Sequence, residues 1–122
     1  MKKIIFISML TLLTAFSVQA MECAEGTVLR TNNGTEYCKS NTSLSWKAAA
    51  QWCAAQKMKQ PSWEELCPGS HFGKNCDNLR GTGELSVWTS TTAGEGVAMR
   101  INLSCGCTNK NQYSHKYYAI CK

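Results

Sequence analysis

The sequence predicts an α+β domain, two helices packed on a small antiparallel sheet and stapled by disulfides. Three observations carry that prediction. Residues 43–58 are alanine-rich with helical periodicity. Three stretches of the C-terminal third alternate apolar and polar residues as strands do. Eight cysteines lie downstream of an export signal.

The signal comes first in the chain. Lys2-Lys3 precede an apolar run from Ile4 to Val18, broken only by hydroxyl residues, and Val18-Gln19-Ala20 closes it with the small side chain that a signal peptidase requires. This predicts a cleaved signal peptide over residues 1–20 and a single mature domain over 21–122. The apolar run is too short for a membrane span, so no stable membrane insertion is expected. Met21-Glu22 before Cys23 does not supply the small-residue box of a lipoprotein. The expected location is secreted or periplasmic, and the signal is bacterial in style.

All eight cysteines (Cys23, Cys38, Cys53, Cys67, Cys76, Cys105, Cys107 and Cys121) fall in the mature part. A dense, even set in an exported chain is a disulfide framework, with about a hundred conceivable pairings. Each bridge contributes roughly 2–4 kcal/mol to a domain of this size. Zinc clusters use paired C-x-x-C spacing, which is missing here. The formal net charge is +5, of which Lys2 and Lys3 supply two. The remaining basic residues are scattered without a dense run, so no nucleic-acid partner is expected.

Residues 27–37 read as a β-hairpin turning at Asn33-Gly34, because Asn-Gly tolerates positive φ at both turn positions. A Cys23–Cys38 bridge would staple its base. Residues 43–58 then form the first helix, with Ser43 or Ser45 as cap. Trp46, Ala49, Ala50, Cys53 and Ala54 make its buried stripe, so Cys53 must find its partner in the core. Ser62 and Glu65 form a capping box for a short second helix that Pro68-Gly69 ends. Over residues 69–83 glycine is frequent and periodicity is absent, so the stretch reads as a loop tied down by Cys76. Strands are expected over 85–90, 97–103 and 117–121. Residues 91–96 link the first two. The polar stretch 104–116, with Cys105-Gly-Cys107, links the last two.

That order, with Leu44-Ser-Trp-Lys-Ala-Ala-Ala-Gln-Trp-Cys53, Gln60-Pro-Ser-Trp-Glu-Glu-Leu66, Val87-Trp-Thr-Ser-Thr91 and Tyr117-Tyr-Ala-Ile-Cys-Lys122, resembles the C-type lectin-like superfamily over essentially all of residues 23–122. The C-terminal domains of bacterial collagen-like adhesins are the nearest type. The resemblance implies that the first helix is bridged to the last strand, Cys53 to Cys121, and that the N-terminal hairpin is bridged, Cys23 to Cys38. The pairing among Cys67, Cys76, Cys105 and Cys107 stays open. Cys105 and Cys107 could both reach the loop of Cys67 and Cys76, and a bridge within Cys-Gly-Cys would be strained.

Sugar-binding members of that superfamily hold calcium through Glu-Pro-Asn or Gln-Pro-Asp and Trp-Asn-Asp motifs. These are missing here, and Asp77, Glu84 and Glu95 are too sparse for a calcium shell of six to eight oxygens. Recognition should therefore be calcium-independent, with no cofactor. No nucleophile elbow, His-Glu-x-x-His helix or phosphate loop is found, and no enzyme is expected. A small secreted hydrolase or toxin would have to rest on His71 and His115, both in polar loops. The Glu64-Glu65 pair is accounted for by capping and the helix dipole. Trp46, Trp52, Trp63 and Trp88 read as core aromatics.

The expected ligand residues are the polar loop Asn109, Lys110, Asn111, Gln112 and Tyr113, with Glu95 and Arg100 beside it. Amides, an ammonium and a phenol suit a hydroxylated ligand. The expected partner is a glycan or a surface or envelope protein. The alternative is a structural component of a surface assembly with no small ligand. The sequons at Asn33, Asn41 and Asn102 carry no meaning in a bacterial host.

Overall fold

A computed structural model describes residues 21–122. The predicted signal peptide, residues 1–20, lies outside the described residues. Strands β1 (Gly26–Arg30) and β2 (Glu36–Leu44) pair antiparallel with Val28 opposite Cys38, and the Cys23–Cys38 bridge closes their base. The connection spans residues 31–35 and not two residues. Of the Asn-Gly pair only Gly34 takes positive φ (91°), and Thr31 donates its N–H to the Thr35 carbonyl at 2.8 Å across the wider loop.

Ser43 and Leu44 belong to β2, so the first helix starts later than its sequence pattern suggests. Helix α1 is Trp46–Ala55, and its N-cap Ser45 accepts the Ala48 N–H. It also ends before Met58. Lys57 turns left-handed (φ 61°), and the N–H groups of Gln56, Lys57 and Met58 bond back to the Cys53 and Ala54 carbonyls. A non-glycine C-terminus leaves no mark in the sequence, which is why the pattern overshoots. Ala49 and Cys53 are buried as expected, whereas Ala54 is exposed.

Helix α2 is the single turn Trp63–Leu66 with the full Ser62/Glu65 capping box, both bonds at 3.1 Å. Residues 67–85 then run without regular structure, closed by Cys67–Cys76 and anchored by the fully buried Leu79.

Strands β3 (Ser86–Thr92), β4 (Val97–Asn102), β5 (Thr108–Gln112) and β6 (Tyr117–Cys121) complete a six-stranded sheet of order β1-β2-β6-β3-β4-β5. Two expectations are corrected here. The sheet is mixed and not antiparallel, because β6 pairs antiparallel with β2 but parallel with β3. The polar stretch 104–116 is not all loop, because Thr108–Gln112 pairs with β4 as an edge strand.

The sheet is covered on both faces. Against α1 lie Ala98, Trp88, Ala119 and Cys121, and the Cys53–Cys121 bridge joins the helix to the sheet. Trp63, Leu66, Leu79, Val87, Ile101, Leu103 and Ile120 pack on the other face beneath α2 and the irregular segment. The fourth bridge is Cys105–Cys107. It resolves the open foursome in favour of two local pairs, with Gly106 at φ 75° folding the short turn between its cysteines.

Three outcomes follow. Ser62→Ala removes an N-cap acceptor and should cost about 1 kcal/mol in urea unfolding. Cys53→Ser with Cys121→Ser opens a bridge spanning 68 residues and should cost about 4 kcal/mol in the same measurement. The Arg30 guanidinium, 2.8 Å from Glu36, and the Met21 N–H hold the Glu36 carboxyl below its ordinary 4.5. Because the folded value is the lower one, the stability it contributes is present above pH 4.5 and lost as pH falls through the folded value. A carboxyl titration by NMR should place Glu36 below 4.5, and Arg30→Gln should raise it.

Candidate ligand-binding groove

Strand β5 supplies most of the expected ligand residues, but a strand sends neighbouring side chains to opposite faces. Lys110 sits opposite Met99 and Thr108 opposite Ile101, on the face covered by the irregular segment; Asn109 and Asn111 sit opposite Arg100 and Ala98, toward α1. The expected set is therefore divided.

On the first side lies a groove of about 460 Å³. Thr108, Asn109 and Lys110 form one wall and Phe72 with Gly73 the other, while Thr92 and Ala93 close an end over the buried Met99. Phe72 is 58% exposed, yet its ring meets the Trp63 indole edge-on with centroids 5.4 Å apart. Trp63 Nε1 donates to Thr108 Oγ1 at 2.9 Å, and that hydroxyl donates to the Lys74 carbonyl at 2.6 Å. One buried indole thus holds both walls in register.

On the α1 side, Arg100 donates through Nε to Asn111 Oδ1 (2.6 Å) and through Nη1 to Ser86 Oγ (2.8 Å), with its guanidinium 4.7 Å from the Tyr117 ring centroid. Tyr113 stacks on Trp46 at 4.3 Å. Arg100, Asn111 and Tyr113 are engaged with one another's neighbours and stand apart from the groove. Gln112 and Glu95 are exposed and line neither arrangement. Of the seven expected residues Lys110 presents its side chain on the groove's face, while Asn109 borders the groove from β5 with its side chain turned toward α1.

Phe72 escaped the sequence reading. Its one available signal was an aromatic residue in a glycine-rich stretch with no periodicity to bury it. None of the four tryptophans offers a comparable open ring: Trp63 and Trp88 are fully buried, and Trp46 and Trp52, both on α1, are half-buried against the cluster beneath it.

His71 borders a separate hollow with Ser70, Lys74 and Asp77, while His115 lies beside the Asn111 amide at 3.2 Å. The two histidines do not share a pocket. Among the described residues no three His, Cys, Asp or Glu side chains gather as metal ligands, and the eight cysteines are all bridged. No helix among the described residues is long and apolar enough to cross a membrane. Comparison with known protein families, characterised proteins and solved structures finds no match for the chain.

Proposed function

We propose that this protein is a secreted or periplasmic, calcium-independent binding module of the C-type lectin-like type, without catalytic activity, and that its groove takes a glycan. Two features support the type. The elements follow the order that the resemblance implies, and the Cys53–Cys121 and Cys23–Cys38 bridges it implies are both present.

The observation that carries the ligand assignment is Phe72, an aromatic ring open to solvent and facing Thr108 and Lys110 across the groove. A pyranose has an apolar C–H face and a rim of hydroxyls. The Phe72 ring packs on the first, while the polar wall along β5 on the Lys110 face meets the second. The Lys110 ammonium donates to hydroxyl oxygens or to an acidic substituent. No step in this recognition needs a metal.

A second reading, a building block of a surface or envelope assembly, draws on the opposite edge of the sheet. There β1 has no outer neighbour among the described residues, and Val28 is 44% exposed. Such an edge accepts a strand from another protein.

A glycan screen of the oxidised protein, with and without a chelator and at two salt concentrations, separates these readings. The expected result is saturable binding that survives chelation and moderate salt. Phe72→Ala should weaken it by at least about tenfold, roughly 1.4 kcal/mol, and Tyr113→Phe should leave it unchanged. Chelator-sensitive binding would remove the calcium-independent reading. Silence across the screen, with capture of a stoichiometric surface protein sensitive to Val28→Lys, would favour assembly.

A further inference from the structure

The four bridges differ in what they can do for stability. Their partners are separated by 68, 15, 9 and 2 residues. A cross-link stabilises chiefly by restricting the unfolded chain, and the effect grows with the loop it closes. Cys105–Cys107 closes almost no loop, so the usual reason for a disulfide is weakest here.

Its turn is held by other means. The Gly106 N–H donates to the Asn102 carbonyl at 2.7 Å, the Cys76 N–H donates to the Gly106 carbonyl at 2.7 Å, and the Asn102 N–H donates to the Cys107 carbonyl at 2.9 Å. Gly106 is buried at φ 75°, and a Cβ there would collide with the Cys76 carbonyl. The main chain therefore places the two cysteines side by side with or without their bond.

Access and chemistry distinguish the pair further. Each of the other three bridges has at least one cysteine sealed in the core: Cys38, Cys53 with Cys121, and Cys67 with Cys76. Cys105 and Cys107 are both half-exposed. Cys105 Sγ accepts the Cys107 N–H at 3.2 Å. Arg80 donates Nε–H to the Cys105 carbonyl at 3.3 Å and so helps to hold the turn. The N–H donor on Cys105 sulfur favours negative charge there, which makes it the better leaving group.

We infer that Cys105–Cys107 is a thiol–disulfide exchange site that oxidises an external dithiol while the other three bridges stay closed. One thiolate of the substrate attacks Cys107 Sγ. The S–S bond breaks, its electron pair leaves on Cys105 Sγ, and that sulfur takes up a proton. The second substrate thiolate then attacks the mixed disulfide, releasing Cys107 as a thiolate that is protonated in turn. The substrate ends as a disulfide, the protein pair as two thiols, and two protons have moved from one to the other. The exchange is stoichiometric, one dithiol oxidised per bridge, so it stands beside the non-catalytic glycan reading and is independent of it.

The test uses the intact oxidised protein and dithiothreitol as the dithiol. Samples equilibrated at graded concentrations near neutral pH are quenched, alkylated with iodoacetamide and peptide-mapped, with near-ultraviolet circular dichroism recorded in parallel. Label should enter Cys105 and Cys107 at concentrations at least about tenfold below those that label any other cysteine, with the dichroism unchanged. Opening of another bridge first, or loss of the dichroism as this one opens, would overturn the assignment. Cys105→Ser with Cys107→Ser should fold with its remaining three bridges and lose the low-concentration step. Failure of that variant to fold would show the bridge to be structural and would equally overturn it.

Discussion

The last strand of the chain lies in the middle of the sheet, and the other elements take their places around it. β6 is inserted between β2 and β3, and Ala119, Ile120 and Cys121 are fully buried. Cys53–Cys121 fixes that strand to α1 from one face, while Ile120 packs with the cluster under α2 on the other. Beyond the bridge, Lys59 and Lys122 exchange N–H···O bonds at 3.1 and 3.2 Å, so the segment leaving α1 is stitched to the chain's end. Within the sheet, the N-terminal hairpin and the β3–β4–β5 ribbon are hydrogen-bonded through β6. Such pairing between distant parts of a sequence makes folding slow, and this gives a cross-link across 68 residues its weight.

Fitting a central strand between two hairpins of different register requires irregularities, and the molecule fills each with a hydroxyl. The β2–β6 register shifts between Lys39 and Ser43; there the buried Ser40 Oγ accepts the Ala119 N–H and donates to the Thr42 carbonyl. The β3–β4 register shifts between Trp88 and Thr92; there the buried Thr89 donates to the Met99 carbonyl and accepts the Thr91 N–H. Bulges strand polar groups inside a sheet, and an unpaired one costs about 1–3 kcal/mol. The indoles follow the same logic: Trp46 and Trp88 each donate Nε1–H to a main-chain carbonyl, of Thr89 and Leu44. They are core residues that also tie strand to helix entry.

What could be read in the sequence was whatever has a local signature. The capping box at Ser62, the inward cysteine of α1 and the strand Tyr117–Cys121 each follow from residues a few positions apart. The strand Thr108–Gln112 has no such signature. It is an edge strand, and Thr-Asn-Lys-Asn-Gln shows no apolar alternation because only one of its flanks meets protein. The parallel β3–β6 pair depends on chain paths no local pattern encodes. The candidate site failed in the same way. The sequence brought Asn109 to Tyr113 together as one loop, whereas pairing with β4 divides them between two faces and puts Lys110 opposite Phe72, a residue thirty-odd positions away. The pairing of Cys105 with Cys107 could not be read in the sequence either, since it uses a left-handed turn at Gly106 that no local pattern announces.

A glycine-rich segment is an unpromising wall for a binding groove, since ordering a flexible loop subtracts from affinity. Here the ordering is done in advance. Cys67–Cys76 closes the segment, Asn78 donates its amide to the Leu66 carbonyl, and Asn32 reaches from the hairpin loop to the Asp77 and Arg80 carbonyls. Lys74 and Phe72 are then tied to β5 and to Trp63. The same strand begins at Thr108, directly after Cys107, so exchange chemistry at the Cys-Gly-Cys turn takes place at the foot of the groove wall. The wall nevertheless stands on main-chain bonds from Asn102, Gly106 and Cys76 and on the Trp63–Thr108 bond, none of which includes sulfur. Opening the bridge changes the chemistry of the turn and leaves the side chains that line the groove supported as before.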